Sequence, residues 1–319
     1  MDLELRHLRI VRMVAETGSV TKAASALGLA QPALTAQLKR IERALGGSLF
    51  ERDHTGSRPT PLGELVLARA QVLLPAVQQL QEEAARLANG EPVGRRYRIG
   101  ATNGPILGGL VDRLAAAEPA AVITTATSWS TGELSTKVML GRLDYALMGV
   151  CGDSRPPGDE ALSWALVAKD PVFVLVAATH PLAGEREVEL GDFAKEQWAV
   201  TPGDGCFGEC FAVAASRAGF APETIYETDV ATCIHLVRVG RAVALCQATF
   251  RTSEGMVALP VKGAPLHWRQ LLGWHPETPA APSAPAVVSH AKFSHLDAVR
   301  QSAPYSNWLA RNPGYGTMS

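Results

Sequence analysis

Apolar residues between Leu3 and Asn89 recur at three- and four-residue spacing, the period of helices with one buried face. Leu5, Leu8, Val11 and Val14, with Ile10 beside them, predict a first helix over Leu3–Glu16, closed by Thr17-Gly18. Ala23, Ala24 and Leu27 share a face of a shorter second helix that opens at Ser19 or Val20, with Ser19 as a plausible N-cap. Gly28 then supplies the freedom a sharp turn needs. Pro32 suits the first position of a third helix, where a missing N–H costs nothing. Leu34, Leu38, Ile41 and Leu45 carry that helix to Gly46-Gly47. Ser48–Glu51 and Ser57–Thr60 predict a small wing around Asp53–Gly56, with Phe50 in the core. From Thr60, with Pro61 behind it, a long helix is predicted to Asn89-Gly90. Inside it Val66, Ala70, Leu73, Val77, Leu80, Ala84 and Leu87 keep a 4-3-4-3 spacing, the pattern of a dimerisation seam. Pro75 falls within that run and predicts a bend in one helix rather than two helices, because the heptad phase continues across it.

From Glu91 the period changes. Strands are predicted at Tyr97–Ala101, Ala121–Thr127 and Leu143–Val150, separated by helices from Asn103 or Gly104 to Ala117 and from Gly132 to Leu140. A second set follows, with strands at Val172–Ala178, Trp198–Thr201, Ile225–Glu227 and Ala242–Cys246 and helices at Gly208–Ala218 and Ala231–Val239. Short apolar runs alternating with helices predict βαβ units in parallel sheets. The chain is expected to cross between two lobes near Lys169–Asp170 and to return near Trp268–Gly273. A Pro/Ala loop over His275–Pro285 and a closing helix over Ala286–Ala298 complete this part. The expected organisation is residues 1–63, a linker helix over 64–90, and an α/β domain over 91–300. In that domain lobe I takes about 91–169 and 272–300, and lobe II about 170–271; a tail of 301–319 has no assigned role.

The second and third helices, the latter with a polar and basic face (Gln31, Thr35, Gln37, Lys39, Arg40, Arg43), form a helix-turn-helix. Thr21, Ala23-Ala24, Leu27, Gln31-Pro32-Ala33, Thr35, Gln37-Leu38, Ile41-Glu42, Leu45-Gly46, Leu49-Phe50-Glu51-Arg52 and Thr60-Pro61-Leu62-Gly63 follow one register. In that register they resemble the LysR-type transcriptional regulators. Gly141-Arg142-Leu143-Asp144-Tyr145-Ala146 and Val237–Ala244 extend the resemblance more weakly into the second part. The resemblance implies a winged helix-turn-helix, a linker helix and a bilobed α/β effector domain similar to periplasmic solute-binding proteins. It implies a homodimer or homotetramer that binds double-stranded promoter DNA and a small-molecule effector, with no cofactor and no membrane.

The DNA-contacting positions carried over by that resemblance are Gln31, Pro32, Thr35, Gln37 and Lys39, with His54 and Arg58 flanking the wing tip. Gln suits a bidentate contact to adenine, and a Thr hydroxyl can donate to phosphate. Ala36 stands where many relatives carry Arg, and Thr55 where many carry a basic residue. The effector-facing positions implied in the same way are Thr102, Asn103, Ser128, Ser130, Thr201 and Gln247. Arg241 and Gln247 depart from the uncharged residue and the Pro usual there.

Composition changes the picture in two places. The net charge of −1 is unlike a DNA-binding protein until it is divided. Residues 1–63 carry nine Lys and Arg against six Asp and Glu, a local +3. The chain of 319 residues, 47% hydrophobic and 19% charged, suits two or three globular units. No apolar run approaches the ~20 residues of a membrane span. The charged start Leu3-Glu4-Leu5-Arg6 is no signal sequence, and five cysteines are an odd count for a disulfide framework, so a cytoplasmic location is expected.

Three constellations offer other chemistry. The Gly203–Gly208 turn matches GxGxxG after a predicted strand, with Glu227 downstream, as a dinucleotide-binding enzyme or a solute-binding protein would use it. Against this, Asp204 would set a carboxylate beside a pyrophosphate. Asp204-Gly205-Cys206 partly resembles the reactive-Cys context of the family's peroxide-sensing branch, so Cys206 with Cys210 is the redox alternative. That branch's second Cys lies further along than Cys210. Cys206, Cys210, Cys233 and His235 match no standard zinc spacing. With no GxSxG, HExxH or P-loop Lys, nothing nominates a catalytic nucleophile and base, and no enzyme is expected.

Overall fold

A computed structural model describes residues 3–53, 56–88, 95–158, 160–204, 207–222 and 225–317. The chain divides into two units, Met1–Val93 with Glu277–Pro279, and Gly94–Pro276 with Ala280–Ser319.

The first unit consists of α1 (Leu5–Thr17), α2 (Val20–Ala26), α3 (Gln31–Leu45), β1 (Phe50–Asp53), β2 (Gly56–Pro59) and α4 (Pro61–Ala88). The periodic residues of these helices converge on one core that includes Val11, Val14, Ala23, Leu34, Ile41, Leu49 and Phe50. Ser19 caps α2, its Oγ accepting from Lys22 N at 3.5 Å. Pro32 sits at the second position of α3 rather than the first, because Gln31 is already helical; the N–H it lacks belongs to the first turn either way. Gly46 ends α3 in the left-handed conformation at φ 80°. β1 and β2 pair antiparallel as the wing.

Long side chains of the motif hold the helix-to-wing corner. Glu42 Oε1 accepts from Leu49 N at 2.9 Å, and Thr60 Oγ1 donates to Ser48 O at 2.7 Å while accepting from Gly63 N at 3.1 Å. A Cβ at Gly63 would lie 2.1 Å from the Leu49 carbonyl oxygen, so only glycine lets α4 approach the strand this closely.

α4 runs through Pro75 as one helix. The seven seam positions do not share one environment, which corrects the single stripe read from the heptads. Val66 and Ala70 are buried in the unit's own core with Leu74. Leu73 and Leu80 are 46% and 64% exposed, Ala84 is exposed and Val77 half-buried. The side chain of Leu87 lies outside the described residues. The helix thus begins as a core element and presents exposed apolar residues from Leu73 onward.

The second unit runs β3 (Arg96–Ala101), α5 (Ile106–Ala117), β4 (Val122–Thr127), α6 (Thr131–Met139), β5 (Tyr145–Cys151), β6 (Ser163–Ala177) and β7 (Trp198–Val200). It continues with α7 (Phe207–Arg217), β8 (Ile225–Glu227), α8 (Val230–Arg238), β9 (Val243–Gln247), β10 (Met256–Pro260) and β11 (His267–Trp274). α9 (Ala284–Arg300), α10 (Ala303–Leu309) and β12 (Gly316–Thr317) close it. The strand order is β4-β3-β5-β11-β6-β9-β7-β8, with β10 and β12 also on β6. Strands β4, β3 and β5 are parallel, as are β8, β7 and β9. Strands β11 and β6 run antiparallel to their neighbours, which corrects the expected all-parallel sheets. They are the two strands by which the chain leaves and re-enters a lobe. β6 pairs with β11 as far as Pro171 and with β9 from Val172, so it changes lobes beside Asp170.

The tail is built into that crossover. β12 pairs with β6 at Lys169 and Ala168. Tyr305 and Trp308 of α10 are buried against Phe173 in lobe II, edge-on at centroid distances of 6.1 and 6.3 Å. Asp170, His295 and Tyr305 are each fully buried. The Asp170 carboxylate faces His295 Nε2 at 2.8 and 3.0 Å and accepts from the Tyr305 hydroxyl, while His295 Nδ1 meets Thr317 Oγ1 at 2.7 Å. Burial and the Asp170 charge push the Tyr305 phenol up, so it remains a donor.

Candidate functional site

In the first unit α3 turns Leu34, Leu38 and Ile41 inward. Gln31, Pro32, Lys39, Arg40 and Arg43 are left exposed, with Thr35 and Gln37 half-buried beside them. The amino-terminal turn has no side-chain cap: Ala30 offers none, and Ala33 and Leu34 N–H both return to the Ala30 carbonyl. Gln31 Nε2 donates to Thr35 Oγ1 at 3.2 Å, so two predicted DNA-contacting side chains sit together one turn apart. Arg58 is exposed on β2, while His54 and Thr55 lie outside the described residues. The result is a helix end with amide, hydroxyl and ammonium groups at its surface, the set needed for base edges and phosphates.

In the second unit the predicted crevice residues separate into two linked groups and one outlier. Gln247, at the end of β9, donates from Nε2 to the Asn103 carbonyl at 3.4 Å and accepts from Gln270 Nε2 at 3.0 Å. Gln270 is buried on β11, where its place after His267 and Arg269 in a run of mixed polarity gives no sequence signal. Thr102, beside Asn103, is bonded through its N–H to the Leu147 carbonyl.

The other group forms at the amino terminus of α6. Ser130 Oγ caps the helix, accepting from Glu133 N at 2.8 Å, and Ser130 N donates to Ser128 Oγ at 3.1 Å. Ser128 Oγ in turn donates to the Glu133 carboxylate, which Lys137 pairs at 2.5 Å. The carboxylate of Asp204 joins this group from across the crevice. It accepts from Thr131 N at 2.8 Å and from Ser130 Oγ. Partial burial acts to raise the Asp204 pKa, but the bonds from Ser130, Thr131 and Gly132 outweigh it and hold the carboxyl below its usual range. Thr201 is exposed at the end of β7 and enters neither group.

Of the described cysteines, Cys151 and Cys210 lie in one core cluster and Cys233 and Cys246 in another. Cys210 lies in the first turn of α7 with Sγ 4.0 Å from the Cys151 carbonyl oxygen, and Cys206 lies outside the described residues. Burial pushes Cys246 up to about 12 and also raises Cys233, leaving both as inert thiols. Among the described residues no group of three His, Cys, Asp or Glu is placed to hold a metal ion. No described helix is long and apolar enough to cross a membrane.

A family model described as "Bacterial regulatory helix-turn-helix protein, lysR family" matches residues 5–64, and one described as "LysR substrate binding domain" matches residues 90–293. The chain belongs to the LysR family of transcriptional regulators. It is similar over its whole length to the small neutral protease regulatory protein of Streptomyces coelicolor, at 37% identity over 313 residues and 97% of each chain. In fold it is similar to a full-length OxyR variant from Pseudomonas aeruginosa, with TM-score 0.60, 22% identity and coverage of 95% of this chain and 97% of that one. Full-length CbnR complexed with its target DNA is also similar, with TM-score 0.53, 20% identity and coverage of 92% and 100%.

LysR membership assigns the two units their work. The first is the DNA-binding domain and the second the effector-binding domain of a regulator, not an enzyme. The Gly203–Gly208 motif is therefore part of a LysR effector domain, and its reading as the site of a dinucleotide-binding enzyme falls. Its Asp204 carboxylate accepts from the Thr131 N–H at the amino terminus of α6 in the same protein.

Proposed function

We propose that this LysR-family regulator reads promoter DNA through Gln31, Pro32, Thr35, Gln37 and Lys39, with the wing residues His54 and Arg58 on the backbone or minor groove. The observation that carries this reading is the division of α3, whose apolar residues are buried while this polar set stands at the surface. We also propose a homodimer or homotetramer built through the exposed part of α4 (Leu73, Val77, Leu80, Ala84), since two half-sites need two readers. Its setting is the cytoplasm, where the DNA is. Similarity to the Streptomyces protein makes a protease gene's promoter the first target to test.

Regulation is proposed to come from a small polar or anionic effector in the crevice lined by Thr102, Asn103, Ser128, Ser130, Thr201 and Gln247. Such a ligand biases DNA binding only through different affinities for two arrangements of the domain. Footprinting of the purified protein on its own genomic promoters tests the DNA reading, and protection no greater than on random DNA would reject it. A thermal-shift screen of metabolites on the full chain, repeated on Gln247→Ala, tests the crevice: a hit should lose its shift in the variant.

A further inference from the structure

We propose that the tail after α9 is a strap that fixes the angle between the two lobes, with the buried Asp170 carboxylate as its bolt. The inference concerns the hinge of this chain and stands whether or not the crevice holds an effector.

The strands alone would leave the lobes a hinge. β6 changes lobes beside Asp170, and the chain returns from β10 in lobe II to β11 in lobe I next to it, where Val172 N donates to the Leu266 carbonyl at 3.1 Å. Lobes joined by two adjacent extended segments can rotate, because a few backbone dihedrals absorb the change. The tail adds two more connections at the same place. α9 packs Ala284, Val287 and Ala291 into the core of lobe I, whereas α10 packs Tyr305 and Trp308 into that of lobe II. β12 then comes back to the lobe I half of β6, pairing at Lys169 and Ala168.

The polar contacts of the tail fall on the line between the lobes rather than inside either one. Asp170, at the crossover, is gripped by His295 from the lobe I helix and by Tyr305 from the lobe II helix. His295 in turn meets Thr317, on the returning strand, through its other ring nitrogen at 2.7 Å. Further out the strap is fastened to lobe II by Ser302 Oγ, which donates to the Ala248 carbonyl at 3.0 Å, and by Arg311, which pairs with Glu187 at 3.6 Å. Lys169 Nζ lies 5.1 Å over the Tyr315 ring, tying the strap to β6 just before the crossover.

Burial decides how firmly the bolt holds. Apolar side chains packed across a joint can slide past one another, but hydrogen bonds are directional. Rotation of one lobe against the other would pull His295 or Tyr305 away from Asp170, and all three side chains have no exposed surface. The carboxylate would then lose a donor at a point closed to solvent, where nothing replaces it. Reorientation of the lobes is therefore a discrete step, the release of Asp170 by one helix, and not a gradual bend.

Distance measurement by pulsed electron spin resonance on the full-length protein tests this without any ligand. Nitroxides attached through p-acetylphenylalanine at Thr136 of α6 and Ser216 of α7, both exposed, report one lobe against the other and leave the cysteines untouched. Labelled chains are diluted with unlabelled ones, so that each pair lies within one molecule. Wild type should give a single narrow distance. In Tyr305→Phe a second distance should appear, its population raised roughly tenfold to a hundredfold over wild type, as loss of one buried charge-assisted bond implies. Thr317→Val, which keeps the strand and frees His295, should move the same way and carries the test if Tyr305→Phe does not fold. Phe193→Leu, a core change in lobe II remote from the strap, should keep the single distance. Variants as narrow as wild type, or a wild type already spread over two distances, would overturn the strap. Equal broadening in Phe193→Leu would overturn it too, since the lobe angle would then follow general stability and not the bolt.

Discussion

Replacing Tyr305 by Phe removes one oxygen from the most deeply buried polar cluster of the protein. The ring keeps its place against Phe173 and Trp308, so little apolar burial is lost. What goes is the hydroxyl donor to Asp170, a carboxylate with no exposed surface that otherwise has His295. A hydrogen bond to a charged group contributes about 1.5–3 kcal/mol net, and the acceptor left behind is in a place water does not reach, so a loss of about 2 kcal/mol is expected. Asp170→Ala should cost more, about 3–5 kcal/mol, because it strands the His295 ring and the Tyr305 hydroxyl together. The assay is urea unfolding of the full chain followed by tryptophan fluorescence. All six tryptophans (Trp129, Trp164, Trp198, Trp268, Trp274, Trp308) lie outside residues 1–93, so the signal reports the second unit alone. With a urea dependence of about 2 kcal/mol per molar, the midpoint for Tyr305→Phe should fall by about 1 M. A fall of less than about 0.3 M at unchanged slope would refute the reasoning, since the bond would then carry no more than an exposed one.

Three further outcomes are expected. Gln31→Ala should lose about 1–3 kcal/mol of discrimination between a specific site and random DNA, whereas Lys39→Ala should weaken both alike; equal losses for Gln31→Ala in a filter-binding titration would remove it from base reading. Leu73→Glu with Leu80→Glu should shift full-length protein toward smaller species in sedimentation velocity, because it puts charge on the exposed half of α4. An unchanged distribution would mean that stripe is no interface. Gly63→Ala should abolish DNA binding with loss of the first unit's helical circular dichroism, since its methyl would meet backbone at 2.1 Å; a folded, binding-competent variant would show that the corner yields.

The first unit was legible because its determinants are local. Helix periods, a capping Ser19, the turn at Gly28 and the stop at Gly46 all act within a few residues of themselves, and the structure uses each of them. Even there the heptads misled at Val66 and Ala70. A 4-3-4-3 run does not say which half faces the chain's own core and which faces outward. The second unit was legible as alternating elements but not as a topology. A strand's sequence does not carry its direction, so the run near Trp268–Gly273 marks the place of β11 without its antiparallel sense. The first half of β6 lacks the continuous apolar run of Val172–Ala177, and its residues Ser163–Leu166 are only half-buried, so it does not read as a strand. β10 is not legible either, and the tail's place is hidden because its partners are remote: Tyr305 meets Asp170 across 135 positions.

Asp204 shows how a misleading motif can still carry physical information. GxGxxG asks for a backbone that approaches something closely, and the carboxylate inside it argues that the something is not a phosphate. The structure gives each half a partner within the protein. The glycine does allow close approach, but to the Trp129 carbonyl of the opposite lobe. The carboxylate does meet a helix amino terminus, the group a dinucleotide site would turn toward its pyrophosphate, yet it belongs to α6 rather than to the helix that follows the motif. The turn has the polarity of a ligand rather than of a receptor. A motif scored on glycines alone discards the residue that reverses its meaning, whereas the charge balance of the turn retains it. At the amino terminus of α6 the carboxylate is supplied, in the structure, by the protein itself.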